Sequence, residues 1–246
     1  MTLNIPTYII TMQGQQVSEI LAQECYDSAK KFNIIPEFFT ATYGDQIEVE
    51  WKEHKLKDFK SAQTVRKINP GMAGCLISHL KLWKKCIEIQ KPILILEHDA
   101  IIIREIPTSM LNKFNDVCNL DWLSRRTTNY DNDVKVDRGP QVNLYMKSRP
   151  KLSGFELYNK SHIKGAHGYI VKPKGAQKLV DFVWAVGALA PDIIINSVSC
   201  DLSYSTTSYC RINPKFWDQQ RMKAKNSFCR PTAQDKKMMK EAKNDV

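Results

Sequence analysis

The sequence has no apolar run long enough to cross a bilayer, no Cys-x-x-Cys pair, and few chain breakers, with ten glycines and eleven prolines in 246 residues. These shortages argue against a spanning helix, a zinc ribbon or dithiol redox motif, and a collagen-like or low-complexity chain. The only apolar run near the start, residues 8–10, is flanked by polar residues, so neither a signal peptide nor an anchor is expected there. The cysteines (Cys25, Cys75, Cys86, Cys118, Cys200, Cys210 and Cys229) are odd in number and irregularly spaced. They read as reduced thiols of a cytoplasmic protein.

Acidic residues are also in short supply, 26 Asp and Glu against 36 Lys and Arg, which gives a net charge of +10 and a pI near 9.2. Residues 211–246 carry six of those excess charges. Such a surplus attracts nucleic-acid phosphates, an anionic lipid surface or a charged small substrate, or simply keeps a protein soluble and monomeric. What remains is ordinary: 43% hydrophobic and 25% charged residues with a mean hydropathy of −0.39 are globular values and exclude wholesale disorder. The length suits one large or two small domains.

Residues 5–12 read as a strand, 17–32 as a helix in which Val17, Ile20, Leu21 and Cys25 recur near helical spacing, and 33–42 as a strand interrupted by Pro36. A β-α-β start follows. Residues 47–65 are charged and weakly periodic, the pattern of a surface loop or short helix. After the breaker Asn69-Pro70-Gly71, the residues Leu76, Leu80, Trp83 and Ile87 share one helical face. Pro92 ends that helix, and Ile93-Leu94-Ile95-Leu96 is the continuous apolar run of a strand covered on both faces. Residues 124–160 form a polar excursion. Regular signals return with a strand over 165–171 and a helix over 173–184.

The apolar strand 93–96 runs into Glu97-His98-Asp99. Ligands of α/β sheets sit outside the carboxyl ends of strands, so candidate chemistry starts here. Two carboxylates one residue apart suit a hard cation or a cation-bridged diphosphate; a helix cap or solvated turn is the alternative. His98, between them, is a candidate ligand or phosphate donor, or a residue that packs inertly. Ser78 and His79 are candidates for binding a phosphate or ribose near a helix start, or for anchoring that helix to the sheet. Asp192 is a candidate general base or a cap, and His162 and His167 are further candidate ligands or acceptor contacts, with a satisfied structural histidine as the alternative.

The ordered blocks Pro70-Gly71-Met72-Ala73-Gly74-Cys75-Leu76-Ile77-Ser78-His79, then Trp83, Ile93-Leu94-Ile95-Leu96-Glu97-His98-Asp99-Ala100, the segment 165–176 (GAHGYIVKPKGA) and Pro191-Asp192 resemble glycosyltransferase family 25. The resemblance covers roughly residues 5–200. It implies an α/β, GT-A-like fold, a Rossmann-like mixed sheet flanked by helices that binds a nucleotide-sugar donor. The domain would span residues 1–210, with a basic extension over 211–246. It also implies a divalent cation, Mn²⁺ or Mg²⁺, and transfer with inversion. Carried over, Glu97 and Asp99 become the metal and diphosphate motif, Ser78, His79, Glu97 and His98 the donor contacts, and Asp192, with Asp99, the catalytic carboxylates. Met72 and His98 depart from the family pattern, which has Glu and Asp there.

Family precedent favours a saccharide or lipid-linked glycan acceptor of the lipooligosaccharide kind, met from the cytoplasm or at the inner membrane face. The charge fits a second acceptor, a 5-hydroxymethylpyrimidine in DNA, with Arg125, Arg126, Lys147, Arg149 and Lys151 on phosphates and Tyr130, Tyr145, Phe155 and Tyr158 available to stack on a flipped base. A third reading is a non-catalytic relative that binds nucleic acid or glycan.

Overall fold

The computed structural model describes residues 3–60, 65–66, 68–121, 134–137, 163, 165–205 and 207–215. β1 (Thr7–Thr11), α1 (Gln16–Lys30) and β2 (Glu37–Thr40) form the expected β-α-β unit, with β2 parallel to β1. β2 begins directly after Pro36, whose missing N–H keeps it out of the ladder, so this strand is shorter than the sequence suggests. The charged segment after it forms α2 (Gln46–Glu53), and β3 (Phe59–Lys60) pairs with β4 (Val65–Arg66).

α3 (Pro70–Ile89) is held at its start by Asn69, whose side chain accepts from the Met72 N–H at 2.8 Å, while Pro70 occupies the first turn. Gln90, in the left-handed region at φ 51°, ends it. Then follow β5 (Ile93–Glu97), β6 (Ala100–Ile102), a 3₁₀ turn (Thr108–Asn112), β7 (Val117–Asn119), β8 (Val134–Asp137), β9 (Gly168–Val171), α4 (Pro173–Val186), α5 (Pro191–Ile194), β10 (Leu202–Ser205) and β11 (Cys210–Ile212).

The main sheet runs β2-β1-β5-β9-β7-β10-β8. β2, β1, β5, β7 and β10 point one way, whereas β9 and β8 are antiparallel to their neighbours. Alternation along the strands builds one core on each face. Tyr8, Ile10, Ile93, Ile95, Tyr169 and Val171 pack with α3 and α4. Ile9, Leu94, Leu96, Ile170 and Cys118 pack with α1, β6 and the 3₁₀ turn. Ile93 to Leu96 are completely buried, as a strand covered on both faces must be. The protein is therefore a mixed α/β fold with a mostly parallel sheet flanked by helices.

The folded part continues past the boundary expected at residue 210. β11 pairs with β6, Asn213 N–H donates to the Asp99 carbonyl at 2.7 Å, and Asn213 and Lys215 both donate to the Glu24 carboxylate. No helix among the described residues is long and apolar enough to cross a membrane.

Candidate active site

β5 delivers Glu97 to the carboxyl edge of the sheet, on the face covered by α3. Cys75 and His79 lie four residues apart on α3 and so share one side of it. The Glu97 Oε1 atom lies 3.1 Å from His79 Nε2 and accepts from Cys75 Sγ at 3.7 Å. On its other side His79 Nδ1 lies 2.8 Å from the Tyr169 hydroxyl, which also accepts from Trp83 Nε1 at 2.8 Å.

Trp83 only donates, so the Tyr169 oxygen accepts there; with the His79 proton on Nε2, the imidazole donates to Glu97 and Nδ1 accepts from the Tyr169 hydroxyl. Trp83 and Tyr169 are completely buried, and the His79 side chain is 1% exposed against 25% for Glu97. The chain thus starts in the core and ends at an accessible carboxylate. Burial pushes the Glu97 carboxyl up, but the His79 hydrogen bond and the neighbouring imidazoles outweigh it and leave Glu97 below its ordinary value.

Asp99 stands in the turn between β5 and β6. Burial and the Glu97 charge push its carboxyl up to about 7, and its Oδ1 is buried without a hydrogen-bond partner. An orphaned carboxylate oxygen beside a second carboxylate fits a cation, so the residues present suit the ion that the resemblance implies. Among the described residues, one group of three His, Cys, Asp or Glu side chains brings its donor atoms within 4.8 Å of one another: Cys75, His79 and Glu97. Asp99 is not in it. Burial holds the His98 imidazole below its ordinary value.

His167, at the entry to β9, lies with Nε2 3.0 Å from Asp121 Oδ2, and Ser208 Oγ donates to Asp121 Oδ1 at 3.4 Å. Burial lowers the His167 imidazole, yet Asp121 overrides it and the ring titrates above its ordinary value. The His167 carbonyl accepts from the Glu97 N–H at 2.9 Å, which ties this pair to the strand end.

Ser78 is placed differently from the expected donor contact. Pro70 starts α3, so Ser78 lies more than two turns inside it, completely buried. Its hydroxyl donates to the Gly74 carbonyl at 2.7 Å and accepts from Thr42 N–H at 2.9 Å. It therefore anchors α3 to the loop after β2, the structural alternative, and offers nothing to a ligand. His79 likewise faces Glu97 and Tyr169 rather than a helix start. Asp192 sits in the first turn of α5, half-buried, outside the Glu97 cluster. Arg125, Arg126, Lys147, Arg149, Lys151, the aromatics Tyr130, Tyr145, Phe155 and Tyr158, His162, and the extension after Lys215 lie outside the described residues.

A groove of about 520 Å³ lies between α2 and the first turn of α3, lined by Ile47, Trp51 and Ile68 together with Asp45, Glu48 and Asp58. Sequence reasoning did not single out Cys75, Tyr169, Trp83 and Asp121 as one network. The four-residue spacing of Cys75 and His79 was the available signal; the approach of Tyr169 across 90 residues had none.

The sequence pattern of glycosyltransferase family 25 (LPS biosynthesis protein) matches residues 4–195. That is most of the chain, and the protein belongs to this family. It is 27% identical over 125 residues to the lipooligosaccharide biosynthesis protein lex-1 of Haemophilus influenzae (strain ATCC 51907 / DSM 11121 / KW20 / Rd), a match covering 48% of this chain and 38% of that one. The chain thus spans well under half the length of this relative. Among solved structures, A197 from STIV superposes with a TM-score of 0.37 at 12% identity over 83% of both chains. Mouse xyloside xylosyltransferase 1, apo form, does so with a TM-score of 0.34 at 8% identity, over 79% of this chain and 81% of that one.

Proposed function

We propose that this protein transfers a sugar from a nucleotide-sugar donor to a hydroxyl of a saccharide or lipid-linked glycan acceptor, with inversion at the sugar carbon. The observation that carries the reading is Glu97: an ionised carboxylate at the carboxyl end of the central strand, held by a hydrogen-bonded chain from the core, inside a family 25 sequence. The groove between α2 and the first turn of α3 is the proposed place for the donor's base and ribose, with Trp51 as the aromatic surface, because its three carboxylates repel a diphosphate.

In such a transfer the acceptor oxygen attacks the anomeric carbon, the bond from that carbon to the diphosphate breaks, and a base takes the acceptor proton. Asp192 is the proposed base. Glu97 and Asp99 would hold the divalent cation, which supplies charge neutralisation for the departing diphosphate. The residues' own contribution is positional: His79 fixes the Glu97 carboxylate, while β11 and Asn213 fix the turn that carries Asp99.

The test is a panel of nucleotide sugars with Mn²⁺ or Mg²⁺, offered with oligosaccharides and with hydroxymethylated duplex DNA, and followed by acceptor mass. A sugar-sized gain on the oligosaccharide is expected. A gain on DNA alone would replace the acceptor, and no gain with any donor would overturn the reading.

A further inference from the structure

We propose that Cys75, His79 and Glu97 form a site for a thiophilic divalent cation of the zinc type, a donor set distinct from the hard-cation pair Glu97 and Asp99. A thiolate, an imidazole and one carboxylate select zinc or cobalt(II) over magnesium or manganese, which prefer oxygen donors throughout.

The geometry is close to that of a bound ion. Metal bonds of about 2.3 Å to sulfur and about 2.0–2.2 Å to nitrogen and oxygen set tetrahedral edges of roughly 3.3–3.6 Å between donor atoms. The structure already has 3.1 Å between His79 Nε2 and Glu97 Oε1, and 3.7 Å between Cys75 Sγ and the same oxygen. The third pair lies within 4.8 Å and closes by rotation of the half-buried Cys75 side chain.

The imidazole is held as a ligand needs to be. Its ring stacks on Tyr169 at 5.8 Å with 15° between the planes, and Nδ1 meets the Tyr169 hydroxyl. A ligating histidine almost always has such a partner on its second nitrogen, which fixes ring and tautomer. In the tautomer that binds a metal, the single ring proton is on Nδ1 and donates to the Tyr169 oxygen, which leaves the Nε2 lone pair for the ion. The Cys75 thiol proton goes to solvent. Three protein donors leave a fourth position, and Glu97, with its side chain 25% exposed, places it toward solvent. Cys75 is a thiol and not part of a disulfide.

The inference shares Glu97 with the glycosyl-transfer reading but does not depend on it, because binding is read without any sugar. The experiment titrates cobalt(II) into the full chain, reduced with a phosphine and stripped with a chelator, and records the thiolate-to-cobalt charge-transfer band and the visible bands of tetrahedral cobalt. One cobalt per chain is expected, displaced by zinc. Cys75→Ser should abolish the charge-transfer band and weaken zinc binding by more than the roughly 10- to 100-fold that loss of an outer-shell partner costs, with an unchanged far-ultraviolet circular dichroism spectrum. Cys229→Ser should leave the band intact. A band that persists in Cys75→Ser, or no band in the unmodified chain, overturns the site. Sugar transfer without the band would sink this inference alone; the band without transfer would sink the glycosyl-transfer reading alone.

Discussion

His79 Nδ1 lies 2.8 Å from the hydroxyl of Tyr169, 90 residues further along the chain, and this contact joins the core to the candidate site. Trp83 stands one helical turn after His79 and donates to the same hydroxyl. Two side chains thus converge on the buried Tyr169 oxygen. Glu97, at the far end, inherits a fixed position from them.

Replacing Tyr169 with Phe removes only that oxygen. It leaves the Trp83 N–H and His79 Nδ1 buried without partners, at about 1–3 kcal/mol for each unsatisfied group. A loss of about 2–6 kcal/mol is expected, read as a lower urea midpoint with an unchanged denaturant slope. A variant within about 0.5 kcal/mol of the original would show that the chain from Trp83 to Glu97 is not bonded as described.

The fold was legible wherever period and burial agree. Ile93 to Leu96 read as a doubly covered strand because every position meets a core, and Leu76, Leu80 and Trp83 read as one helix face because that face packs on the sheet. The segment 47–65 did not resolve, since α2 has no buried residue and thus little apolar period to read. The Glu97-His98-Asp99 turn was legible as a strand terminus. The contact of Glu97 with α3 was not: strand alternation puts Glu97 on the α3 face, and only the packed structure shows that Cys75 and His79 lie there. The role of residues 210–215 was hidden for a similar reason, because their partners, Asp99 and Glu24, lie far away in sequence.

Gly74 lies one turn before Ser78 on the side of α3 that faces the loop after β2, where a side chain is excluded. A Cβ on it would lie 2.3 Å from the Thr42 carbonyl oxygen, whose own residue is held by Ser78. Gly74→Ala must therefore push α3 away from the loop after β2. The cost expected for such overpacking is about 3 kcal/mol, with a lower thermal midpoint. An alanine variant as stable as the original would show that this approach is loose.

His54 gives a pH dependence with a defined sign. Burial lowers its imidazole and the Lys84 ammonium lowers it further, while Glu53 and Glu50 oppose; Lys84 Nζ donates to the neutral ring at 3.1 Å. A folded value below the unfolded 6.5 means that the unfolded chain binds more protons, so stability falls with acidification. The contribution is complete above pH 6.5 and is lost as pH drops through the folded value. Because the ring is only half-buried, the effect should stay below about 1 kcal/mol. His54→Gln should flatten the acid side of the stability profile by that amount, measured as unfolding free energy between about pH 5 and 7. An identical profile in the variant would remove His54 from the account.

Glu97 and Asp192 carry different proposed tasks, and kinetics should separate them. Glu97→Gln keeps an oxygen for the His79 N–H, so the fold should survive while the charge that faces the departing diphosphate is lost. Removal of one such electrostatic contact lowers kcat by about 10²- to 10³-fold. Asp192→Asn removes the proposed base but no donor contact. It should lower kcat for transfer while leaving nucleotide-sugar affinity unchanged, as followed by calorimetric titration of the donor. If the two variants lose donor affinity equally and keep the same kcat, Asp192 belongs to the donor site and another group takes the acceptor proton. If Asp192→Asn transfers at the original rate, the half-buried first turn of α5 is structural, and the base must be sought among the carboxylates of the Glu97 edge.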